Sequence, residues 1–76
     1  MEVFPGVSMD ASVRFGKPCL IGTRMDVATV LAALASGQSI DEVRDDYRLS
    51  SEQVFTALSY AAHVAAHLPP AVAKAS

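Results

Sequence analysis

The sequence predicts a mainly α fold, in which short N-terminal β-strands lead into a three-helix bundle of the helix-turn-helix kind. Three observations carry this expectation. Turn residues Pro5, Gly6, Gly16, Pro18 and Gly22 punctuate the first two dozen positions, where no helical period exists. From Asp26 onward apolar residues recur at helical spacing. Two capping signatures, Ser39 to Glu42 and Ser50 to Gln53, each mark a helix start. At 76 residues the chain has room for one domain, expected over 1–68 with a tail over 69–76. A domain of this size buries only about 60% of its unfolded surface, so an apolar remainder is expected to seek a partner.

The elements follow in order. Val7 to Phe15 alternates, with Val7, Met9, Ala11, Val13 and Phe15 on one parity and Ser8, Asp10, Ser12 and Arg14 on the other, as a half-buried ribbon does. Gly16-Lys17 forms the turn into a second short run, Pro18 to Ile21, ended by Gly22. These strands pair within one chain or between two. Asp26 is placed to cap a first helix whose stripe is Val27, Val30, Leu31 and Leu34, and Ser36-Gly37 stops it. A second, short helix starts at Ser39, with Ile40, Val43 and Tyr47 as its apolar positions. The third starts near Ser51, behind Leu49 as a hydrophobic staple, and runs to His67 or Leu68, where Pro69-Pro70 ends it. At 100° per residue, Val54, Ala57, Leu58, Ala61, Val64, Ala65 and Leu68 share one side, and Thr56, Ser59, Tyr60, His63 and His67 the other. Phe55, Ala62 and Ala66 widen the apolar arc beyond one core-facing stripe.

Composition narrows the function. With 51% hydrophobic and 18% charged residues the chain is too apolar for intrinsic disorder. A net charge of −2 excludes binding of nucleic acid by bulk positive charge, so any DNA contact is local. The single cysteine, Cys19, makes no internal disulfide, and the N-terminus has no secretory pattern, so a cytoplasmic protein is expected. The uncharged stretch Gln53 to Ala73 is mostly alanine, broken by Thr56, Ser59, His63, His67 and the proline pair, and lacks the apolar density of a membrane span.

No catalytic constellation can be assembled, and neither an enzyme, a cofactor nor a metal site is expected. His63 and His67 have helical metal spacing, but the metalloprotease motif is missing and solvent-facing histidines are the simpler reading. Cys19, inside an apolar run, reads as a small buried hydrophobe. Asp41, Glu42, Asp45 and Asp46 fan around a short helix as a solvated face.

The helix-turn-helix order is equally that of a plain three-helix bundle. As a DNA reader it would present Ser51, Glu52, Gln53, Phe55, Thr56 and Ser59 to base edges, with Gln53 suited to adenine and Ser51 and Thr56 to phosphate. Its third helix carries no Arg or Lys, so Lys17, Arg24, Arg44 and Arg48 would have to supply the phosphate contacts, with help from Arg14.

The most specific segment is Gly16-Lys17-Pro18-Cys19-Leu20-Ile21-Gly22-Thr23-Arg24-Met25-Asp26-Val27, followed by Leu34-Ala35-Ser36-Gly37 and Ser39-Ile40-Asp41-Glu42-Val43. It resembles the Domain of Unknown Function 433 family, with its G-K-P-x-I-x-G-T-R-x-x-V block, and the likeness continues through Asp45, Asp46, Tyr47, Leu49, Val54, Ala57, Leu58, Tyr60, Ala61 and Ala62. The resemblance implies a helix-turn-helix-like bundle behind a strand region. It also implies a VapB-like antitoxin partnered by a PIN-like toxin with nuclease chemistry. One departure is Ile21, where many relatives carry a cation. Within the block Pro18 stiffens an extended strand. Arg24 is either a phosphate clamp or, by slight preference, a bridge from strand to bundle.

The leading expectation is therefore a dimeric, non-enzymatic antitoxin that also regulates its operon through operator DNA. The rival is an interaction adaptor that never touches DNA. Partner binding is expected at His63, His67, Leu68, Pro69, Pro70 and Val72. Dimer contacts are expected at Val7, Met9, Val13 and Phe15, by strand exchange, and at Phe55, Ala62 and Ala66.

Overall fold

The computed structural model describes residues 1–69. It is a mixed α/β fold with mainly helical content. Strands β1 (Glu2–Phe4), β2 (Val7–Ser8) and β3 (Cys19–Leu20) form one antiparallel sheet in the order β1-β2-β3, followed by helices α1 (Val27–Ala35), α2 (Ile40–Tyr47) and α3 (Ser51–His67).

The three helix starts fall where the caps predict. Asp26 accepts from the Thr29 N–H at 3.2 Å. Ser39 and Glu42 exchange both bonds of a capping box, as do Ser50 and Gln53. Each cap satisfies backbone donors that a first helical turn leaves without partners. Gly37 ends α1 in the left-handed region, with φ 105°. The α2–α3 connection is only Arg48, Leu49 and Ser50, and Arg48 itself turns left-handed (φ 56°).

Valines dominate the core. Val7, Val30, Val43, Val54 and Ala57 are fully buried, with Leu20 and Val27 nearly so, which joins the sheet to all three helices. Burying each valine or leucine contributes about 1.5–3 kcal/mol. The segment from β3 to α1 is closed by Thr23, whose hydroxyl donates to the Leu20 carbonyl (2.8 Å) and accepts from the Met25 N–H (3.0 Å).

The N-terminal region departs from the expected ribbon over Val7 to Phe15. The strand stops at Ser8, because the Asp10 carboxylate takes the Ser12 N–H (2.9 Å) and hydroxyl (2.7 Å), and this local turn replaces a ladder. A turn of 3-10 helix follows at Arg14–Gly16, with Arg14 (φ 49°) and Phe15 (φ 58°) both left-handed. That conformation costs a residue with a side chain about 1–2 kcal/mol. The first hairpin turn is Pro5-Gly6 rather than Gly16-Lys17, and β1 precedes the region expected to form strand. Within the chain β2 pairs with β3, and Val7 of β2 is 0% exposed.

Helix α3 is also oriented differently from its projected faces. Tyr60, assigned to the polar side, packs against the core and meets Phe4 of β1 edge-on, with ring centroids 5.5 Å apart. His63 lies 5.0 Å from Phe4, and His67 stacks at 4.2 Å from His63. Leu58, Val64 and Leu68, assigned to the buried side, are left partly or largely exposed.

Candidate functional site

The most apolar surface groove among the described residues lies between α1 and the C-terminal half of α3. Its walls are Val27, Ala28 and Leu31 on one side, Tyr60, Ala61, Val64, Ala65 and Leu68 on the other, and Pro18 at one end. It arises because α3 outruns the bundle. The first two turns of α3 bury Val54 and Ala57 against the core, while every residue from Ala62 to Pro69 is exposed. After Glu52 no residue of α3 is an acid, a lysine or an arginine, and its last two turns are alanine, Val64 and the two histidines. A helix surface so apolar in water is unusual unless something covers it.

His67 Nδ1 lies 2.8 Å from the His63 carbonyl, and both residues are exposed. Among the described residues no group of three or more His, Cys, Asp or Glu gathers to hold a metal ion. Cys19 is 3% exposed, and burial, aided by the nearby Asp26 charge, pushes its thiol above the ordinary range. It is an inert core residue in this setting.

The residues expected to face DNA stand on several elements, and some of them are engaged in the fold. Gln53 spends its Oε1 on the Ser50 N–H (2.9 Å) in the capping box. Thr56 is half-buried under the hairpin turn, where a Cβ on Gly6 would stand 2.8 Å from its Cγ2. Ser51 is half-buried as well. Arg44 is held by Asp41 (2.9 Å), and its Nε is buried without a hydrogen-bond partner. Lys17, Arg24 and Arg48 are exposed, but they stand on separate elements: the end of the 3-10 turn, the loop before α1, and the α2–α3 turn.

The bridge from the N-terminal region to the bundle, expected of Arg24, is made by Arg14, which donates from Nη2 to Asp26 Oδ1 at 3.1 Å. Nothing in the spacing separates the two arginines; only the left-handed turn at Arg14 aims it at the helix cap. Asp26 is 3% exposed. Burial raises its pKa, but the bonds from Thr29 and Arg14 outweigh this and hold the carboxyl below the usual range.

Of the expected partner-binding residues, His63 and His67 lie on the exposed end of α3 and Leu68 and Pro69, also exposed, just after it, while Pro70 and Val72 fall outside the described residues. Sequence reasoning placed Val64 and Ala65 in the core and did not foresee Ala28 and Leu31 as the facing wall. The tight turn between β3 and α1, which decides where α1 runs, has no signature in a periodicity. Of the remaining expected dimer contacts, Phe15 is 96% exposed, Phe55 52% and Met9 40%; Ala62 and Ala66 are exposed and Val13 half-buried.

Residues 7–61 match the family described as Protein of unknown function (DUF433). The chain belongs to this family. The DUF433 match spans β2 through Ala61 and so includes the α1 wall of the groove, but Val64, Ala65 and Leu68 lie beyond it. The chain is also similar to Rv2018 from Mycobacterium tuberculosis, known from an X-ray crystal structure, with 35% identity and a TM-score of 0.62. The likeness covers 68% of this chain and 24% of that one, so it spans about a quarter of the length of Rv2018. No curated protein matches the chain.

Proposed function

We propose that this chain is a non-catalytic, protein-binding antitoxin that neutralises a PIN-like nuclease toxin by taking an apolar segment of it into the groove between α1 and α3. The observation that carries the binding reading is the groove itself, an uncharged channel on a helix end that the bundle leaves bare. The toxin as partner rests only on what the resemblance carried by the Gly16 to Val27 block implies, a VapB-like antitoxin. A helical segment with small and aliphatic residues would fit best, since Ala28, Ala61 and Ala65 allow close approach.

Operator binding is the second reading, and the three-residue turn between α2 and α3 favours it. Against it stand the cation-free third helix, the engagement of Gln53 and Thr56 in the fold, and the overall charge of −2. The protein-binding role is therefore placed first.

The test is co-expression of the full chain with the adjacent gene's product. Val64→Asp and Leu68→Asp, both at partly or largely exposed positions, should leave helicity and melting temperature unchanged while abolishing co-purification and growth rescue. Full rescue by the double variant would remove the groove from this function.

A further inference from the structure

Phe15 is the most exposed large apolar side chain among the described residues, at 96%. It stacks on no other ring among them, and its backbone is strained. Arg14 (φ 49°) and Phe15 (φ 58°) are left-handed in succession, a conformation that glycine adopts without steric cost and other residues do not. The turn is held by the Arg14–Asp26 ion pair and by the Gly16 and Lys17 N–H groups, which donate to the carbonyls of Val13 (3.0 Å) and Arg14 (3.1 Å). Strain that persists under several restraints points to a function at the residue that bears it.

Charge is placed as unevenly as the strain. Residues 11–25 carry Arg14, Lys17 and Arg24 and no acid, which leaves three cations against eight acids in the rest of the chain. The acids at either end of this run are committed: Asp10 to the Ser12 N–H and hydroxyl, and the buried Asp26 to Thr29 and Arg14. Lys17 is exposed and follows the ring by two residues, at most about 7 Å of backbone. The Arg14 side chain, next to the ring, stays 53% exposed despite its ion pair. Arg24 is exposed too, and its charge, like that of Arg14, reaches Cys19, two residues beyond Lys17.

We propose that the turn at Arg14–Lys17 binds single-stranded nucleic acid, with an unpaired base stacked on the Phe15 ring and the neighbouring phosphates drawn to Lys17, Arg14 and Arg24. A free aromatic face beside cations is the combination such binding uses, and every base has a face to offer it. An unpaired base can leave its neighbours to lie on a protein ring, whereas the bases of a duplex cover one another. The apolar pocket of a protein partner fits less well. The anchor of such an interface is surrounded by further contacts that exclude water, and the chain neighbours of Phe15 are Arg14, Gly16 and Lys17. The chemistry is the same in RNA and in single-stranded DNA. It uses neither the groove nor the antitoxin reading, and it differs from operator binding, in which α3 would enter a duplex.

Fluorescence anisotropy of labelled oligouridine and oligothymidine, titrated with the full chain at low salt, tests this. Saturable binding is expected, with a slope of log affinity against log salt of about −2 for three single-strand phosphate contacts, and a preference for either oligomer names the source. Phe15→Ala should weaken binding about 5- to 100-fold, the equivalent of one stacked base. Phe15→Leu, apolar but without an aromatic face, should weaken it as well, and Phe15→Tyr should hold it. Phe15→Gly suits the left-handed backbone, so it should lose binding without lowering the melting temperature, which separates a role in binding from one in folding. Phe15→Trp supplies the one tryptophan of the chain, and its emission should be quenched as either oligomer is added. Four results would each overturn the proposal: no saturable binding by the wild type, binding unchanged in Phe15→Ala, full binding by Phe15→Leu, or a duplex of equal length bound as tightly. Tryptophan emission that shifts to the blue with phosphatidylserine vesicles and is not quenched by the oligomers would overturn it too, and would assign the turn to a membrane surface.

Discussion

At the scale of single residues, Asp26 links the two halves of the fold. Its carboxylate caps α1 through Thr29 and receives Arg14 from the left-handed turn. Because these bonds hold its folded pKa below the usual carboxylate range, its contribution is present above the unfolded value of about 4 and is lost as pH falls through the lowered folded value. Asp10 shifts in the same direction through its Ser12 bonds, but it is exposed and adds little. Urea unfolding at neutral pH and near pH 3 should therefore show a loss of stability on acidification, which Asp26→Asn reduces because Asn still caps a helix but does not titrate. Asp26→Ala should cost about 1–2 kcal/mol at neutral pH. An acid response unchanged in Asp26→Asn would assign it to other carboxylates.

Between elements, the β1–β2 turn packs closely on α3. Gly6 sits at φ 88°, and a Cβ there would come within 2.8 Å of Thr56 Cγ2. Two separate penalties are thus expected for Gly6→Ala, one from the backbone and one from the clash, together exceeding about 1 kcal/mol. Thr56→Ser removes the clashing methyl and should recover only the steric share, so a double-mutant cycle should show favourable coupling. Additive effects would mean that the hairpin shifts freely over the helix. The same contact withdraws Thr56 from the surface that a DNA-reading helix would need.

For the molecule as a whole, charge decides what it can hold. Lys17, Arg24 and Arg48 form no salt bridge among the described residues, whereas Arg14 and Arg44 are engaged. Among the described residues these three cations account for a slope of log affinity against log salt of about −3, shallow for operator binding by one subunit. Retardation of a promoter fragment should accordingly vanish at physiological salt. Persistent, salt-steep binding would bring the operator role back to the front.

The sequence by itself determined the helices and their starts. Asp26, Ser39 and Ser50 each satisfy backbone donors within three residues, and an interaction that local needs no knowledge of the rest of the chain. It also determined that apolar surface would be left over, as the excess along α3 indicated. Tertiary structure alone decided where that surface lies. The alternation from Val7 to Phe15 looked like a strand because side-chain parity says nothing of the Asp10–Ser12 bonds or of the left-handed turn that sends Arg14 to Asp26. Tyr60 looked exposed because a helical projection does not contain Phe4, 56 residues earlier, which covers it. The groove needs α1, α3 and Pro18 at once. Its members are far apart in the chain, and only long-range packing brings them to one surface.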